Sequence, residues 1–319
     1  MEPTDKLMQW FEDAGWSDVG VDKRVGSYVT LREARKQNGN AVYIDFKDTK
    51  YSKWLGERIK QYDQLLNNCK IELWNDNGTL DRIFKKFTIQ RKFIKHKSTY
   101  DNMEFVFGGR MPGPWVNLSS ELRKNITING ESTVELDRDA SHLNAMYQVI
   151  TGAPYPHKDD PYLITVDGVS VPRHIAKNFS SFMQGSRSVK GVAHSVINNY
   201  KRKAIEDKNP KEEDIKKYEE YVEFKKNIKP TDIANAILDK HPKVANYYNN
   251  GKPYGDFISC WESDIVFEVV MELTKRGIPC LTVYDSFIVP LQYKDLVDSM
   301  KDTTPYVERR ALPKELFKK

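Results

Sequence analysis

The sequence is poor in cysteine and has no long hydrophobic run, and each shortage excludes a class of protein. Its three cysteines, Cys69, Cys260 and Cys280, lie far apart in a chain of 319 residues. They form neither a disulfide framework nor the C-x-x-C spacing of a zinc site, so we expect a reducing, cytoplasmic location. No uncharged apolar segment approaches the length of a membrane span, and the acidic N-terminus lacks the regions of a signal peptide. We therefore expect no membrane partner.

The composition is typical of a globular protein whose positive charge is unevenly distributed. Hydrophobic residues make up 39% of the chain and charged residues 30%, which is compatible with a sizeable core. The formal net charge of +5 is too small to indicate a partner. Residues 82–100, however, hold seven Lys or Arg residues and no carboxylate, with aromatic residues between them. Such a segment can bind nucleic acid by neutralising phosphates and stacking on bases.

This basic segment has two compatible interpretations. In the first, Lys92 and Lys95 contact nucleic-acid phosphates, and the aromatic rings stack on bases. In the second, the segment is amphipathic, with its aromatic residues facing the core and its Lys residues facing water. The rings concerned are Phe84, Phe87, Phe93 and Tyr100. Both interpretations stay open at the level of sequence.

The spacing of apolar residues predicts several helices. Residues 51–68 carry one apolar stripe, and residues 256–279 form a long apolar segment that ends at Gly277 and Pro279. A helix is also expected before Gly152, which is suited to a helix C-terminus. Another is expected from Arg173, because the preceding proline favours the first turn of a helix.

Two apolar segments read as strands, and each carries an acid at one end. The segment STVELD alternates, with Val134 and Leu136 on one face and Asp137 on the other. The segment LTVYDSFIVPL divides into two strands around Tyr-Asp-Ser, because Asp and Ser are common turn residues. Asp285 would then lie at the tip of a hairpin, on the rim of a sheet.

The order of these acids and a cationic helix indicates a chemical site. Asp137 and Asp285 are expected on neighbouring strands, where two carboxylates can hold one or two Mg²⁺ ions. Such a site stabilises the attacking and leaving oxygens of a phosphoryl transfer. Between them in sequence, Arg173 and Lys177 are four residues apart and share one helical face, which can hold a triphosphate. Each feature alone is more often structural, so the ordered set carries the interpretation.

This order resembles motifs A, B and C of the family A DNA polymerases and the phage-type single-subunit RNA polymerases, including small polymerase-like proteins of phages and mobile elements. The resemblance covers residues 105–295, roughly by pattern. The matching segments are VELDRDASHLN for motif A, RHIAKNFSSFMQG for motif B, VYDSFIV for motif C, GGRMPGPWVNLSSELR for the upstream Gly-Arg loop, and CWESDIVFEVVMEL for the helix before motif C.

The resemblance implies an α+β fold with a polymerase-like palm, made of an antiparallel sheet with flanking helices, mostly helical fingers and a mixed N-terminal region. Residues 1–105 would be thumb-like or template-binding, 106–165 the first part of the palm, 166–254 the fingers, 255–305 the second part of the palm, and 306–319 a tail. The implied site residues are Asp137 and Asp285 for metal binding and catalysis, Lys177 for catalysis and nucleotide binding, Arg173, His142 and Gln184 for nucleotide binding, and Arg110 and Asn117 for primer–template binding.

The chain departs from the family pattern at four positions. Tyr284 stands where motif C usually has His, and His142 stands where family A DNA polymerases place a sugar-gate carboxylate. Motif B lacks the family's Tyr-Gly pair, with Gln184-Gly185 the nearest candidate. Asp139 is an alternative metal ligand, because it would point the same way as Asp137 on an extended strand. Because the Tyr-Gly pair and the sugar-gate carboxylate are both missing, the choice between deoxyribose and ribose is open.

The expected function is template-directed nucleotide addition to a 3′-hydroxyl, with two Mg²⁺ ions, for which Mn²⁺ can substitute. Primer–template nucleic acid and nucleoside triphosphates would be the partners, with other replication proteins as further ones. The alternatives are a primase or primer-independent RNA polymerase of the same fold, a non-catalytic nucleic-acid-binding protein, and a two-carboxylate metal nuclease. The Arg173/Lys177 helix counts against the nuclease, because this face suits a triphosphate.

Overall fold

The computed structural model describes residues 27–34, 41–96, 104–207, 210–249 and 251–301. The strands in these ranges are β1 Val29–Glu33, β2 Tyr43–Ile44, β3 Ile71–Trp74, β4 Leu80–Phe84, β5 Arg91–Lys95, β6 Gly108–Arg110, β7 Ile126–Ile128, β8 Glu131–Leu136, β9 Thr165–Val166, β10 Val169–Ser170, β11 Leu281–Val283 and β12 Ser286–Pro290. The α-helices are α1 Lys50–Asn67, α2 Ser120–Arg123, α3 Ser141–Thr151, α4 Arg173–Met183, α5 Val189–Lys201, α6 Glu212–Asn227, α7 Pro230–Lys240, α8 Tyr254–Lys275 and α9 Lys294–Lys301.

The largest sheet has six strands in the order β11-β12-β8-β7-β3-β4. Every neighbouring pair in it is antiparallel. Strands β8 and β12 lie side by side, with Phe287 opposite Leu136. The prediction of a mixed α+β fold with an antiparallel sheet is therefore confirmed, and the two acid-bearing strands are direct neighbours.

A second sheet has four strands in the order β2-β1-β5-β6. Strands β1 and β5 are parallel, and the other neighbours are antiparallel. Lys92 on β5 lies opposite Arg110 on β6. Two cations predicted to bind nucleic acid therefore occupy opposed positions on adjacent strands.

The apolar residues form two clusters, which we call the sheet core and the helical core. The sheet core joins the six-stranded sheet and α1 with the later part of α8, including Val270 and Leu273. The helical core joins α3, α4, α5 and α7 with the earlier part of α8, including Phe257 and Trp261. Helix α8 thus packs in both cores, and the polar run Glu262-Ser263-Asp264 lies where one core gives way to the other.

Several local predictions are confirmed. Helix α1 buries Leu55, Ile59, Tyr62 and Leu66, and its N-cap Thr49 forms a reciprocal capping box with Ser52. Helix α3 ends at Gly152, which has a φ of 79° in the left-handed region that favours glycine. The long helix α8 is buried along most of its length, as its apolar composition predicted.

The interpretation in which aromatic residues of the basic segment stack on bases is wrong for Phe84 and Phe93. Both rings are buried in the sheet core, where the hydrophobic effect holds them. Phe87 is half-buried and packs edge-on against Trp115. Tyr100 lies outside the described residues. The amphipathic interpretation therefore accounts for the described rings.

None of the helices in the described ranges is long and apolar enough to span a bilayer.

The strands β3 and β4, which lie within residues 1–105, pair into the same sheet as β8 and β12. Part of the N-terminal region is consequently continuous with the sheet that carries the two acids.

Candidate active site

Asp137 and Asp285 meet at one edge of the six-stranded sheet, which we call the carboxylate edge. Asp137 directly follows β8, and Asp285 belongs to the tight turn between β11 and β12. The turn consists of Tyr284 and Asp285 alone, because Ser286 already pairs with Val283. The hydroxyl of Ser286 donates a hydrogen bond to Asp137 Oδ1. The register of two adjacent strands therefore fixes both acids.

The carboxylate of Asp285 is held in an unfavourable electrostatic environment. Burial, followed by the charges of Glu262 and Asp137, raises its pKa to about 6, while Arg110 acts in the opposite direction. The turn tip was expected on the rim of the sheet, but Asp285 is half-buried. Asp137 is exposed. The pair thus combines one accessible carboxylate with one whose ionised form is destabilised.

Glu262 is a third acid near this edge, and sequence reasoning did not select it. It lies on α8 and is only 3% exposed. Its Oε2 atom is 3.5 Å from Nη2 of Arg110. The signal that could have revealed it is a run of three polar residues, Glu-Ser-Asp, in the middle of an otherwise apolar helix, because buried acids are rare without partners.

Buried contacts with α8 fix the backbone next to Arg110. Arg91 forms a buried ion pair with Asp264, and its Nε donates to the carbonyl of Gly109 at 2.9 Å. The hydroxyl of Ser263 donates to the same carbonyl. Gly109 has a φ of 76°, and a Cβ there would approach Cys260 Sγ to 3.1 Å, so only glycine fits without displacement. This close packing sets the position from which Arg110 extends.

The guanidinium of Arg110 also contacts the hairpin turn. It lies 4.7 Å from the centre of the Tyr284 ring, within the range of a cation–π contact. Tyr284 has a φ of 57°, and its side chain is exposed. Arg110 was predicted to contact primer–template, and it lies between Glu262 and the turn that carries Asp285.

The upstream loop is attached to the same hairpin. Trp115 is fully buried, and its Nε1 donates to the carbonyl of Thr282 at 3.0 Å. Thr282 Oγ1 donates to the carbonyl of Met111 at 2.7 Å. These two bonds hold the loop against β11. Asn117, at the end of the 3-10 turn Pro114–Asn117, is exposed.

Arg173 and Lys177 are exposed on helix α4, and we call the surface that they form the cationic face. Arg173 forms an ion pair with Asp160, and its guanidinium lies 5.2 Å from the centre of the Tyr162 ring. Burial raises the pKa of Tyr162 well above its ordinary value, Arg173 opposes this rise, and the charges of Glu262, Asp160 and Asp285 add to it. Tyr162 is therefore within electrostatic range of both the cationic face and the carboxylate edge.

His142 and Gln184, both predicted to contact the nucleotide, are hydrogen-bonded to each other. His142 Nε2 is 2.6 Å from Gln184 Oε1, which requires that this nitrogen donates. His142 lies at the start of α3 and Gln184 immediately after α4. The start of α3 and the end of α4 are thereby joined by a direct side-chain contact.

Other predicted residues lie apart from these contacts. Asp139, the alternative ligand, is exposed beyond the end of β8, and its carbonyl accepts from Asn144. The strand ends at Leu136, so Asp139 does not continue the extended alternation that would align it with Asp137. The position of Asp139 favours Asp137 over Asp139 as the acid at the carboxylate edge.

Lys95, which was predicted to bind nucleic acid, is half-buried at the end of β5.

Among the described residues, no group of three or more His, Cys, Asp or Glu side chains is arranged to hold a metal ion. At the carboxylate edge the described residues place Asp137 directly after β8 and Asp285 in the turn before β12, with Glu262 nearby. Comparisons of the chain with protein-family models, curated proteins and solved structures give no match. Function is therefore inferred from the geometry of the site.

Proposed function

We propose that the chain is a template-directed nucleotidyltransferase with a palm-and-fingers scaffold. It would add nucleotides to the 3′-hydroxyl of a primer and release pyrophosphate. The observation that carries the proposal is the pairing of β8 with β12, which brings Asp137 and Asp285 together although they are far apart in sequence. The contact of Arg110 with Glu262 and Tyr284 adds a cation at the same edge.

The two aspartates fit a magnesium ion, because Mg²⁺ prefers oxygen donors and is completed by substrate phosphates. When bound, Mg²⁺ supplies stabilisation of negative charge on the attacking and leaving oxygens of the phosphoryl transfer. A cation would also offset the repulsion that raises the pKa of Asp285. Asp137 and Asp285 are accordingly the proposed ligands for Mg²⁺ or Mn²⁺.

The cationic face has a complementary role in the proposal. Arg173 and Lys177 neutralise the triphosphate, and Lys177 donates a proton to the departing pyrophosphate. His142 and Gln184 line the nucleotide site as a hydrogen-bonded pair. In this assignment residues 106–165 and 255–305 form the palm, whose sheet is extended by β3 and β4, and residues 166–254 form the fingers. Arg110, Asn117, Lys92 and Lys95 are assigned to primer–template binding.

A nucleotide-incorporation matrix tests the proposal. Purified protein with Mg²⁺ or Mn²⁺ is given DNA or RNA template, with or without primer, and deoxy- or ribonucleotides. Extension of a primer supports the proposal, whereas synthesis from ribonucleotides on an unprimed strand identifies a primase or RNA polymerase. Binding of nucleic acid without any synthesis contradicts the proposal, and release of mononucleotides indicates a nuclease.

The substitution Asp285→Asn sharpens this test. Asparagine has nearly the same shape as aspartate but lacks the charge needed to hold Mg²⁺. We expect incorporation to fall by about 10³-fold or more, by analogy with the loss of a charge-stabilising group in other active sites. Thermal unfolding provides the control, since the variant should be at least as stable as the wild type. Retained incorporation in Asp285→Asn contradicts the proposed role of this acid.

A further inference from the structure

Arg173 is already engaged by an acid of the same chain. The loop between α3 and β9 carries Asp160, whose Oδ2 accepts from Arg173 Nε. The side chain of Asp160 is 27% exposed and that of Arg173 52% exposed, so both remain accessible from solvent. The structure thus gives Arg173 an internal anionic partner at the end of the cationic face.

The carboxylate of Asp160 is held in place from two sides. Its Oδ1 accepts the backbone N–H of Tyr162 at 2.9 Å, a local turn typical of aspartate. Its other oxygen faces Arg173. Although partial burial opposes the effect, the hydrogen bonds from Arg173 and from this backbone amide hold the pKa of Asp160 below its usual range. Asp160 is therefore an ionised partner for Arg173.

Neighbouring contacts fix the backbone of the same loop. Lys240 Nζ bonds to Asp159 Oδ2 at 2.6 Å and to the carbonyl of Leu163 at 2.8 Å. His241 Nε2 is 2.9 Å from the carbonyl of Pro161. Both partners come from the end of α7. Because the loop is attached on either side of Asp160, a change of partner at Arg173 requires movement of the arginine side chain and leaves the loop in place.

We propose that Asp160 competes with the triphosphate for Arg173 and so sets the affinity of the site for polyphosphate. This inference rests on the proposed function, because it takes the cationic face as the triphosphate-binding surface. An incoming polyphosphate must displace Asp160 from Arg173, whereas Lys177 is reached directly. Departure of the product is aided in the same way, since Asp160 recovers Arg173 as pyrophosphate leaves. Asp160 is thus an affinity-setting residue that contacts its cation and not the reacting atoms.

The test is direct binding of magnesium tripolyphosphate to the full chain, measured by isothermal titration calorimetry without nucleic acid. Asp160→Asn removes the charge and keeps an oxygen for the Tyr162 amide, so the turn is retained. We expect Asp160→Asn to bind about three- to five-fold more tightly, the range that a solvent-accessible ion pair supports. The matched control is Asp159→Asn, which removes the adjacent charge but leaves Arg173 paired, and no such gain is expected.

A double-mutant cycle identifies Arg173 as the residue through which Asp160 acts. In an Arg173→Ala background, Asp160→Asn should no longer increase affinity, because the competition has no cation to act on. Equal gains in Asp160→Asn and Asp159→Asn, or a gain that persists without Arg173, would overturn the inference, since either would indicate a general effect of charge.

The same measurements separate this inference from the proposed function. If the wild type extends primers and binds tripolyphosphate but Asp160→Asn binds no more tightly, the competition is wrong and the polymerase reaction stands. If no variant binds tripolyphosphate, the competition is overturned as well. Failure of the wild type in the incorporation matrix, by contrast, contradicts the proposed function whatever the titrations give.

Discussion

Two carboxylates in this molecule have opposite environments, Asp285 at the carboxylate edge and Asp160 beside the cationic face. Burial and the neighbouring acids Glu262 and Asp137 raise the pKa of Asp285 to about 6. Asp160 is also partly buried, but its hydrogen bonds with Arg173 and a backbone amide lower its pKa. Folding therefore disfavours the charge on Asp285 and favours the charge on Asp160.

The difference follows from how each region is built. Asp285 is fixed by the strand pairing of a buried hairpin, so it cannot move away from its acidic neighbours. Asp160 lies in a surface loop, where it reaches a cation on an exposed helical face. The ionised form of Asp285 is poorly stabilised by its surroundings, so a cation bound from solution would stabilise it. Asp160 is already stabilised by Arg173, in a contact that solvent can reach.

The largest effect is expected from a substitution in the core beneath the paired strands β8 and β12. Phe287 lies on β12 opposite Leu136 and is fully buried. Phe287→Ala should lower the free energy of unfolding by about 3–5 kcal/mol, because a large cavity forms in the sheet core. Phe182→Ala, at a half-buried position on α4, is the matched control and should cost about 1–2 kcal/mol. Equal losses of unfolding free energy in urea denaturation would contradict the expected difference between the sheet core at Phe287 and the surface of α4 at Phe182.

An intermediate effect is expected from the charge of Asp285, and its sign depends on pH. Between about pH 4 and pH 6 the native carboxyl keeps a proton that the unfolded chain releases, so this group's contribution to stability falls as pH rises through that range. Asp285→Asn should therefore gain stability relative to the wild type, reaching about 1–2 kcal/mol at neutral pH. Urea denaturation at several pH values measures the difference. A pH-independent difference would contradict a half-buried carboxylate whose charge is opposed by neighbouring acids.

The substitution Asp160→Asn is expected to change stability in the opposite direction to Asp285→Asn. Its lowered pKa contributes stability above the pKa of the unfolded chain, and this contribution is lost as pH falls through the folded value. Asp160→Asn should therefore be less stable than the wild type at neutral pH by under about 1 kcal/mol, with the gap closing in acid. Gaps of the same sign in the two variants would remove the contrast between the regions.

The smallest effect on stability is expected at Lys177. This exposed side chain should change the free energy of unfolding by under about 0.5 kcal/mol when replaced by alanine. Incorporation should nevertheless fall by about a hundredfold, since Lys177 is proposed to donate a proton to pyrophosphate. Lys190→Ala, at an exposed position on α5, is the control and should leave both quantities unchanged. Equal incorporation by the two variants would contradict the role of Lys177.

Much of the carboxylate edge could be predicted because local patterns determine it. The alternation of Val134 and Leu136 gave the face of β8, and the Tyr-Asp-Ser sequence gave the position of the turn. The inclusion of Ser286 in that turn was wrong, because Ser286 pairs with Val283 and begins β12. Residue types alone also could not give the partial burial of Asp285 or the effect of Glu262, which lies about 20 positions earlier on α8.

The pairing of Arg173 with Asp160 could not be predicted in the same way. Asp160 lies in an irregular loop, where neither helical nor strand periodicity relates it to α4. The contact between Arg110 and Glu262 depends on the close packing of β6 on α8, which joins segments about 150 residues apart, as their numbering shows. The polymerase assignment itself stays a prediction, because it rests on the family resemblance and on the order of the two acids and the cationic helix along the sequence.

The backbone of Tyr284 has a further consequence for how this site can change. An aromatic residue at a φ of 57° costs about 1–2 kcal/mol relative to glycine, which adopts this conformation freely. Its ring lies against Arg110, a contact worth about 0.5–1 kcal/mol at an exposed site. A glycine at this position would relieve this strain, but it would lose the ring contact with Arg110 and add conformational entropy to the unfolded chain, so the stability should change little while the arginine becomes less constrained. The main consequence of the tyrosine is therefore the placement of Arg110, and its effect on the stability of the fold is small.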